Sequence, residues 1–511
     1  MTAIQAAGLP ARLFIPAGQY RLDGQWGNGH LHLLNQKDLI IEGEPGAVLI
    51  LPRKLGIMDI KDCRNIQLRN LTIDFRPVAF SQGKVTAVDF KANTVDVIVH
   101  PGYEDPTASA YTAADFYRLW IMNSQTGLVK HDQRKDVTVK GVRALGGGVY
   151  RFKVAEVITS SNNLVDPGDL CAIIPRNNGP QKPRIPGVSK VSGFRSFNSQ
   201  FITLADMRVF GAQHYFFMPL DKTDGLKILR TSFERMPGTD RLACNLADGI
   251  TGHDLARAPY IESCRIAATY DDCTHFASAW RTILSVDNNK LLVSHADPAL
   301  YPVGGMVAIG DLNTMTIRDY GVIVSAATVS LEDTLKVRLT LDRTLSGVVA
   351  MGHQGAGKTA DALYSLAFGC SGQVVRNSFL GLNRANGIRL RAPNAIIENN
   401  VFALHAGSAV AREWVGDNAQ TGLFPSHQIF RHNTIYNTQH ITERYRGSDG
   451  SKISGVPVRY CIETNNTWLN ESQFGKDYPH FYWKPGGPHT LNYDDLLKVI
   501  ADRRQGAEVF R

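Results

Sequence analysis

Short apolar runs interrupted by a single polar step recur along most of the 511-residue chain. The polar step is often Asn, and an apolar or aromatic residue follows it. The pattern occurs in seven segments: NIQLRNLTI (65–73), FITLADMRVF (201–210), LKILRTSF (226–233), YIESCRIA (260–267), QVVRNSF (373–379), AIIENNVF (395–402) and QIFRHNTI (428–435). Phe201 and Leu226 are 25 positions apart, and Val374 and Ile396 are 22 apart. A repeat of this length, with one unit of secondary structure per period, predicts a solenoid of parallel β coils.

The recurring Asn residues suit the tight bends between short strands, because Asn tolerates the left-handed backbone region and bonds to its own backbone. An ordinary β-sandwich with chance spacing is the alternative. It is disfavoured because Asn returns at the same register in several segments. We therefore predict an all-β fold with very little helix.

Two long stretches, from about residue 80 to 190 and from about 278 to 361, interrupt the repeat. Both alternate apolar and polar residues with a period of two, which is typical of half-buried antiparallel strands. We predict that each forms a small antiparallel β-barrel inserted into a loop of the solenoid.

The chain is accordingly divided into six parts. These are an N-terminal cap with the first coils (1–80), a first barrel (81–190), central coils (191–277), a second barrel (278–361), C-terminal coils (362–480) and a tail with a short capping helix (481–511). The segment AIQAAG (3–8) suits a short helix that covers the first coil. In the tail, Tyr493, Leu496, Leu497 and Ile500 form one apolar stripe, which predicts a helix within residues 493–504.

Composition narrows the function class. Hydrophobic residues make up 43% of the chain and charged residues 20%, as in soluble globular proteins. The net charge is +8, but no dense Lys/Arg run with interleaved aromatic residues is present, so a nucleic-acid partner is not expected. No apolar run reaches the length of a membrane span, so no membrane partner is expected. Whether the protein is a monomer or a dimer is left open.

The seven cysteines are odd in number and form no CxxC pair, which argues against a disulfide framework or a zinc ribbon. Buried thiols are the expected state. No secretory leader is visible. A secreted or periplasmic location is expected from the type of function argued below, although a removed signal and a cytoplasmic protein look alike in this chain.

The segment from Ala247 to Phe276 combines an acid before a glycine, Asp248, with a vicinal pair, Asp271 and Asp272. The 23 residues between Asp248 and Asp271 are close to one coil, so the three carboxylates are expected to gather on one face. Paired carboxylates of this kind perform the acid and base steps of glycoside hydrolysis. Taken singly, these residues suit turns. Taken together, with a barrel inserted directly after them, they predict a walled active site.

Gly352 to Thr359 matches the P-loop pattern, which would predict nucleotide binding. A P-loop needs a parallel strand that leads into a helix. The surrounding sequence is antiparallel in pattern and has no room for that helix. We interpret the segment as a glycine-rich loop that returns from the second barrel to the solenoid.

The acid-bearing motifs resemble the core of glycoside hydrolase family 110, the α-1,3-galactosidases. The motifs are Ala247-Asp248-Gly249-Ile250, Ile261-Glu262-Ser263-Cys264, Asp271-Asp272, Asn386-Gly387-Ile388-Arg389 with Ala395 to Asn400, and Gly407-Ser408-Ala409 with Trp414 and Ile429 to Asn433. The resemblance implies a right-handed parallel β-helix with two inserted barrels. It also implies metal-free, inverting exo-hydrolysis of a terminal α-linked galactose or a related sugar. By this resemblance, Asp248, Asp271 and Asp272 correspond to the catalytic acids.

Six further residues are candidates for binding the sugar, since His and Arg bond hydroxyl groups and aromatic rings stack on sugar faces. They are His214, His253, His275, Arg389, Glu413 and Trp414. For each one alone, a place in the core or on the solvated surface is the more common role. No zinc-ligand spacing occurs, so neither a metal nor another cofactor is predicted.

Two other functions remain open. A β-helix polysaccharide lyase would use Ca²⁺ with a basic residue, for which Arg257 or Arg265 are candidates. A non-catalytic glycan-binding β-helix would bind a carbohydrate and need none of the acids.

Overall fold

Parallel strands wind round one axis, and successive coils add a strand to each of three sheets. The computed structural model describes residues 10–23, 29–52, 56–112, 114, 116–124, 129–130, 136–159, 164–176, 193–331, 333–351, 361–415, 425–436, 438–446, 452, 460–469 and 509–510. The first sheet comprises Ala11–Ile15, Lys37–Gly43, Arg64–Arg69, Gln200–Ala205, Lys227–Leu229, Tyr260–Glu262, Val374–Arg376, Ile396–Glu398, Gln428–Arg431 and Cys461–Thr464.

The second and third sheets follow the first in each complete coil. The second comprises Gly18–Arg21, Ala47–Leu51, Thr72–Phe75, Arg208–Phe210, Ser232–Phe233, Arg265–Ala267, Phe379–Gly381, Val401–Ala403, Thr434–Tyr436, Asn466–Leu469 and the antiparallel Val509–Phe510. The third comprises Gly29–Leu34, Gly56–Lys61, Phe194–Phe197, Phe217–Leu220, Ile250–His253, Thr274–Ala277, Ile388–Arg391, Ser408–Val415 and Gln439–Arg446. The predicted parallel β-helix is confirmed.

The corner between the first and second sheets explains the polar step in the sequence repeat. At this corner one residue in each of eight successive coils takes a left-handed backbone conformation, with φ between 45° and 56°. The residues are Asn70, Asp206, Arg230, Ser263, Asn377, Asn399, His432 and Asn465. Short polar side chains, Asn above all, tolerate this conformation at low energetic cost.

A hydrogen-bonded ladder runs up the inside of the same corner. The backbone N–H of Cys264 donates to Ser378 Oγ at 3.0 Å, and the N–H of Ser378 donates to Asn400 Oδ1 at 3.0 Å. The N–H of Asn400 donates to Asn433 Oδ1, and that of Asn433 to Asn466 Oδ1. These side chains satisfy backbone donors where the corner leaves the sheet, so the ladder fixes how coils stack.

Inward-facing aliphatic residues fill the coil interior and form one continuous core, which includes Leu68, Ile228, Ile261, Ile397 and Phe430. Each of the seven cysteines is a free thiol, and all but the partly exposed Cys461 are buried, as expected. Among the described residues, the helical elements are short: an α-helix at Ser109–Thr112 and 3₁₀ turns at Pro298–Leu300 and Leu366–Phe368. The described part of the chain contains no helix long and apolar enough to cross a membrane.

Two closed six-stranded antiparallel barrels interrupt the coils, which confirms the predicted fold class. Barrel 1 comprises Ser81–Asp89, Thr94–Val99, Phe116–Met122, Val137–Gly146, Val149–Val154 and Leu170–Arg176. Barrel 2 comprises Arg281–Asp287, Lys290–Val293, Met306–Asp311, Thr316–Leu331, Thr334–Leu341 and Ala362–Ser365. The last strand of barrel 2 follows residue 361, because it pairs back with the strands that start at Arg281 and Met306. The sequence pattern had assigned this strand to the C-terminal coils.

Three of the sequence predictions lie outside the described residues. They are the N-terminal capping helix, the P-loop-like segment from Gly352 to Thr359 and the C-terminal helix within residues 493–504.

Removing one rung of the ladder should destabilise the fold. Asn400→Ala is expected to lower the free energy of unfolding by about 2–4 kcal/mol, because it deprives the buried Ser378 N–H of its acceptor and the Val375 carbonyl of a donor. Chemical denaturation measures the loss. The adjacent Asn399→Gly is the control: it removes an exposed amide at φ 56° and should change stability by less than about 1 kcal/mol. Equal effects of the two substitutions would contradict the role of the ladder.

Candidate active site

Asp248 and Asp272 occupy the same position in successive coils, immediately before strands of the third sheet. Ile250 pairs with Thr274, so the coil is 24 residues long at this point, and the N–H of Asp272 donates to Asp248 Oδ1 at 3.2 Å. The sequence count of 23 had aligned Asp248 with Asp271. The structure instead stacks Asp271 on Ala247, whose carbonyl accepts the Asp271 N–H at 3.0 Å. All three acids still meet, with one oxygen of each within 4.8 Å of the others.

The column continues upward through two polar residues. Asn386 donates to Asp272 Oδ1 from its backbone N–H at 2.8 Å and from Nδ2 at 2.7 Å. The N–H of Ser408 donates in turn to Asn386 Oδ1 at 3.2 Å. One oxygen of Asp248 and one of Asp272 are thus held by the stacking of the coils, and the other oxygen of each faces the outer surface of the third sheet.

The glycine after Asp248 is required by the close approach of the next coil. A Cβ at Gly249 would lie 2.5 Å from the Cys273 carbonyl oxygen and 2.7 Å from the Ile266 side chain. Gly387, which follows Asn386, is equally confined, since its Cβ would lie 2.6 Å from the Ala409 carbonyl oxygen. The Asp-Gly pair is therefore set by packing between coils, as well as by the turn.

The three acids differ in their exposure. The side chain of Asp271 is 19% exposed, that of Asp248 is 8% exposed and that of Asp272 is fully buried. Asp271 is therefore the acid that a large ligand can reach directly, while Asp272 lies buried beneath it.

The outer face of the third sheet beside the acids carries a charged network. Arg389 Nε lies 3.0 Å from Asp272 Oδ2 and 3.4 Å from Glu413 Oε2. Glu413 also accepts a hydrogen bond from Arg391 at 2.8 Å and lies 3.3 Å from Arg444. In-register pairing of these strands places Arg389 next to His275, and Glu413 next to Arg444.

Burial and neighbouring charges separate the protonation states of these groups. Burial raises the pKa of Asp272, the guanidinium of Arg389 lowers it in part, and the charge of Asp271 raises it further. Burial also tends to raise the pKa of Glu413, but Arg389, Arg391 and Arg444 lower it to about 2. Burial, reinforced by Arg391 and Arg389, holds the pKa of His275 well below its ordinary value. His275 is therefore neutral, and its Nδ1 contact with Asp248 at 3.7 Å is no ion pair.

Barrel 1 closes one side of the acid cluster. Asp136, at the start of a barrel 1 strand, accepts hydrogen bonds from Tyr270 and from Arg384 Nε at 2.6 Å. Arg384 also lies 3.9 Å from Asp271. Trp120 of barrel 1 packs edge-on against Tyr270, with ring centroids 5.6 Å apart.

Barrel 2 packs against the far end of the same sheet. Trp414 and Tyr445 form a buried cluster with Leu312, Met315 and Tyr364 of barrel 2. Trp414 therefore lies inside a barrel interface, although its position in the sequence had suggested a sugar-stacking surface. Barrel 1 thus lies beside the acids, and barrel 2 packs at the opposite end of the third-sheet strands.

The other predicted residues divide into two groups. His253, His275, Arg389 and Glu413 share the outer face of the third sheet next to the acids, and His253 and His275 contact each other edge-on at 5.8 Å. His214 lies in the turn one coil earlier, against Tyr215, with ring centroids 4.1 Å apart. Register places Tyr215 two residues before the strand, directly beside Asp248 in the column.

Sequence reasoning did not select Asn386, Arg391, Arg384 or Asp136 as site residues. Asn386 could have been found by extending the register of Asp248 to the neighbouring coils. Asp136 had no such signal, because it belongs to an inserted barrel whose position follows only from tertiary packing.

The two basic residues considered for a lyase lie on other faces. Arg257 forms a bidentate pair with Asp224 at 2.8 and 2.9 Å near the first sheet. Arg265 lies on the second sheet, 3.7 Å from Glu234.

No protein-family model matches the chain, and no curated protein matches it. Among solved structures, the family 28 exopolygalacturonase of Yersinia enterocolitica is similar at 11% identity and a TM-score of 0.38, over 93% of this chain and 63% of that one. The chain thus spans less than two thirds of that structure. The A-module of the Azotobacter vinelandii mannuronan C-5 epimerase AlgE4 is similar at 11% identity and a TM-score of 0.32, over 91% of this chain and 93% of that one.

A PL6 alginate lyase bound to a trisaccharide is similar at 9% identity and a TM-score of 0.23, over 92% of this chain and 76% of that one. The sequence identities and TM-scores of these three structures are too low to carry an argument about function, so the function of the site has to be inferred from its own geometry.

Arg389 should control how stability depends on pH. An acid whose pKa is raised by folding stabilises the folded state fully at pH values below its pKa in the unfolded state, near 4. This contribution is lost as the pH rises through the pKa of the folded state. Arg389→Gln removes the cation that favours ionised Asp272. We expect a loss of about 3–5 kcal/mol at pH 7 and a smaller loss near pH 4, because protonated Asp272 needs no counter-ion. Urea denaturation at pH values from about 4 to 7 measures the loss of stability at each end of this range.

Arg444→Gln is the matched control. Arg444 pairs with Glu413 but its side chain is 42% exposed, so its removal should cost about 1 kcal/mol or less at any pH. If the pH dependence of Arg389→Gln stability were parallel to that of the parent protein, the proposed coupling of Arg389 to Asp272 would be wrong.

Proposed function

We propose that the protein is a glycoside hydrolase that removes a terminal sugar from an oligo- or polysaccharide. The observation that carries the proposal is the meeting of Asp248, Asp271 and Asp272 beside barrel 1, with one oxygen of each within 4.8 Å of the others. Hydrolysis of a glycosidic bond needs one carboxyl group to protonate the leaving oxygen and another to activate water. Three carboxylates this close disfavour simultaneous ionisation, so a proton is retained in the cluster.

Asp271 is assigned as the general acid because it is the most exposed of the three. It gives its proton to the glycosidic oxygen as the bond to the anomeric carbon breaks. Asp248 and Asp272 orient a water molecule and accept its proton as the water oxygen bonds to that carbon.

Inversion at the anomeric carbon is supported by burial. A retaining enzyme needs a carboxylate that bonds directly to the sugar, and the fully buried Asp272 is suited to hold a water molecule rather than to be that nucleophile. The cluster is tighter than the roughly 6.5–9.5 Å between the carboxyl groups of most inverting enzymes. The acid Asp271 also lies within 4.8 Å of both bases, so the anomer that is released first decides between inversion and retention.

A neutral terminal sugar is favoured by the charge balance. Each of the four nearby arginines has an acidic partner within the chain: Arg384 has Asp136, Arg389 has Asp272, and Arg391 and Arg444 have Glu413. Among the residues that the structure describes, every arginine beside the acids is thus engaged with an acidic side chain, and none stands apart for a substrate carboxylate. Together with the resemblance to the α-1,3-galactosidases, this supports an α-linked galactose or a related hexose. Under this proposal the protein acts in the periplasm or outside the cell.

A β-helix lyase is the second candidate, because the same three oxygen atoms have the spacing to hold a divalent cation. Carboxylate oxygens are the ligands that Ca²⁺ prefers. Against this, the guanidinium of Arg389 already compensates Asp272 at 3.0 Å and would repel a cation bound there. Hydrolysis therefore remains the better-supported reaction.

Substitution of the acids tests the proposal. Asp271→Asn and Asp272→Asn should each lower the turnover of an aryl α-galactoside, or of the best substrate in an aryl-glycoside panel, by at least about a hundredfold. Asp38→Asn, an exposed acid at a left-handed corner that Asn also tolerates, should have unchanged activity. Circular dichroism and thermal unfolding verify that the folds are equal. Full activity in both site variants would end the proposal.

The products distinguish the alternatives in the same assay. With a chelator present, hydrolysis should still release reducing sugar, and ¹H NMR should show the opposite anomer first. An unsaturated product that absorbs in the ultraviolet would instead establish a lyase. Binding of glycan with no cleavage, and with no effect of either substitution, would establish a glycan-binding protein.

A further inference from the structure

A groove of about 690 Å³ runs along the outer face of the second sheet, away from the acid cluster. The outward-facing residues of five successive strands form its floor: Arg208, Ser232, Arg265, Phe379 and Val401. The loop at Pro237 forms one wall, and the corner between the first and second sheets forms the other. The groove shares no lining residue with Asp248, Asp271 or Asp272.

The floor residues are in register, so they form one straight column parallel to the helix axis. Five strands at about 4.8 Å spacing extend the column over about 19 Å. One pyranose unit of an extended glycan has a length similar to the spacing of about 4.8 Å between neighbouring strands. A linear chain in the groove would therefore meet one coil per sugar, over several sugars.

The rim supplies hydrogen-bonding groups in the same repeat. Asn377 and Asn399 are exposed at successive corners, with φ of 52° and 56°, and both line the groove. Their amides can donate to and accept from sugar hydroxyl groups, while the partly exposed Val401 offers an apolar surface beside them.

The groove carries an excess of positive charge. Arg265 is compensated by Glu234 at 3.7 Å, and Arg230 by Asp206 at 2.7 Å. Arg208 is exposed, and the ion pairs among the described residues include none for it. An uncompensated guanidinium in a concave surface attracts anions.

We propose that this groove is a second, non-catalytic site that binds an extended anionic polysaccharide, with Arg208 contacting its carboxylate or sulfate groups. Such a site would hold a polymer on the protein independently of the reaction at the acids. It extends the proposed function but does not depend on it, since binding needs no turnover.

Binding of polygalacturonate to the full chain, measured by isothermal titration calorimetry at low ionic strength, tests the proposal. Fully methyl-esterified polygalacturonate is the matched probe without charge. We expect the parent protein to bind the anionic polymer and Arg208→Glu to bind it about tenfold more weakly or worse, since one attraction becomes a repulsion. Arg208→Gln should be intermediate, which guards against a folding defect in the reversed-charge variant.

Lys227→Glu is the control for total charge. Lys227 is exposed on the neighbouring first sheet and does not line the groove. The Lys227→Glu variant should bind the polymer with the same affinity as the parent protein. Asp271→Asn should also bind normally, so that loss of catalysis and loss of this site are separable. Equal binding by Arg208→Glu, equal weakening by Lys227→Glu, or equal affinity for the methyl ester would each overturn the assignment.

Discussion

In-register stacking of coils is the constraint on which the rest of the molecule depends. Backbone hydrogen bonds hold successive strands about 4.8 Å apart, so residues one coil apart become neighbours in space. The same geometry makes the inner ladder of Ser378, Asn400, Asn433 and Asn466, and it makes the acid column. In the first, amides satisfy backbone donors and stabilise the corner. In the second, two carboxylates occupy equivalent rungs, which a fold without function would avoid because like charges repel.

The fold accommodates this repulsion with specific neighbours. Asn386 donates two hydrogen bonds to Asp272 from the rung above, and Arg389 lies beside its other oxygen. Burial nevertheless keeps the pKa of Asp272 raised. Arg389 also lies close to Glu413, whose ionised form is stabilised by Arg389, Arg391 and Arg444. The buried acid thus has a mixed environment of donors, a cation and like charge, which is typical of a group tuned for proton transfer.

Much of the fold could be predicted from the sequence because the polar corner residue recurs at every coil, and its physical cause is local. The barrels were predicted because period-two alternation differs plainly from the corner repeat. The register of the acids was wrong by one residue, since the coil there has 24 residues and pairing depends on the whole turn between Ile250 and Thr274. The contact of Asp136 with Arg384 could not be predicted, because 248 residues and a barrel separate the two. Trp414 was given a surface role because the packing of barrel 2 against it leaves no local pattern.

In the proposed reaction Asp271 contacts the glycosidic oxygen of a bound sugar, and Asp248 and Asp272 hold the attacking water molecule. A crystal structure of the Asp271→Asn variant soaked with its substrate tests this most directly. It should show the glycosidic oxygen of the terminal sugar within hydrogen-bonding distance, about 3 Å, of the side chain at position 271. A water molecule should lie between Asp248, Asp272 and the anomeric carbon. A sugar bound elsewhere, with no atom near these three positions, would contradict the claim.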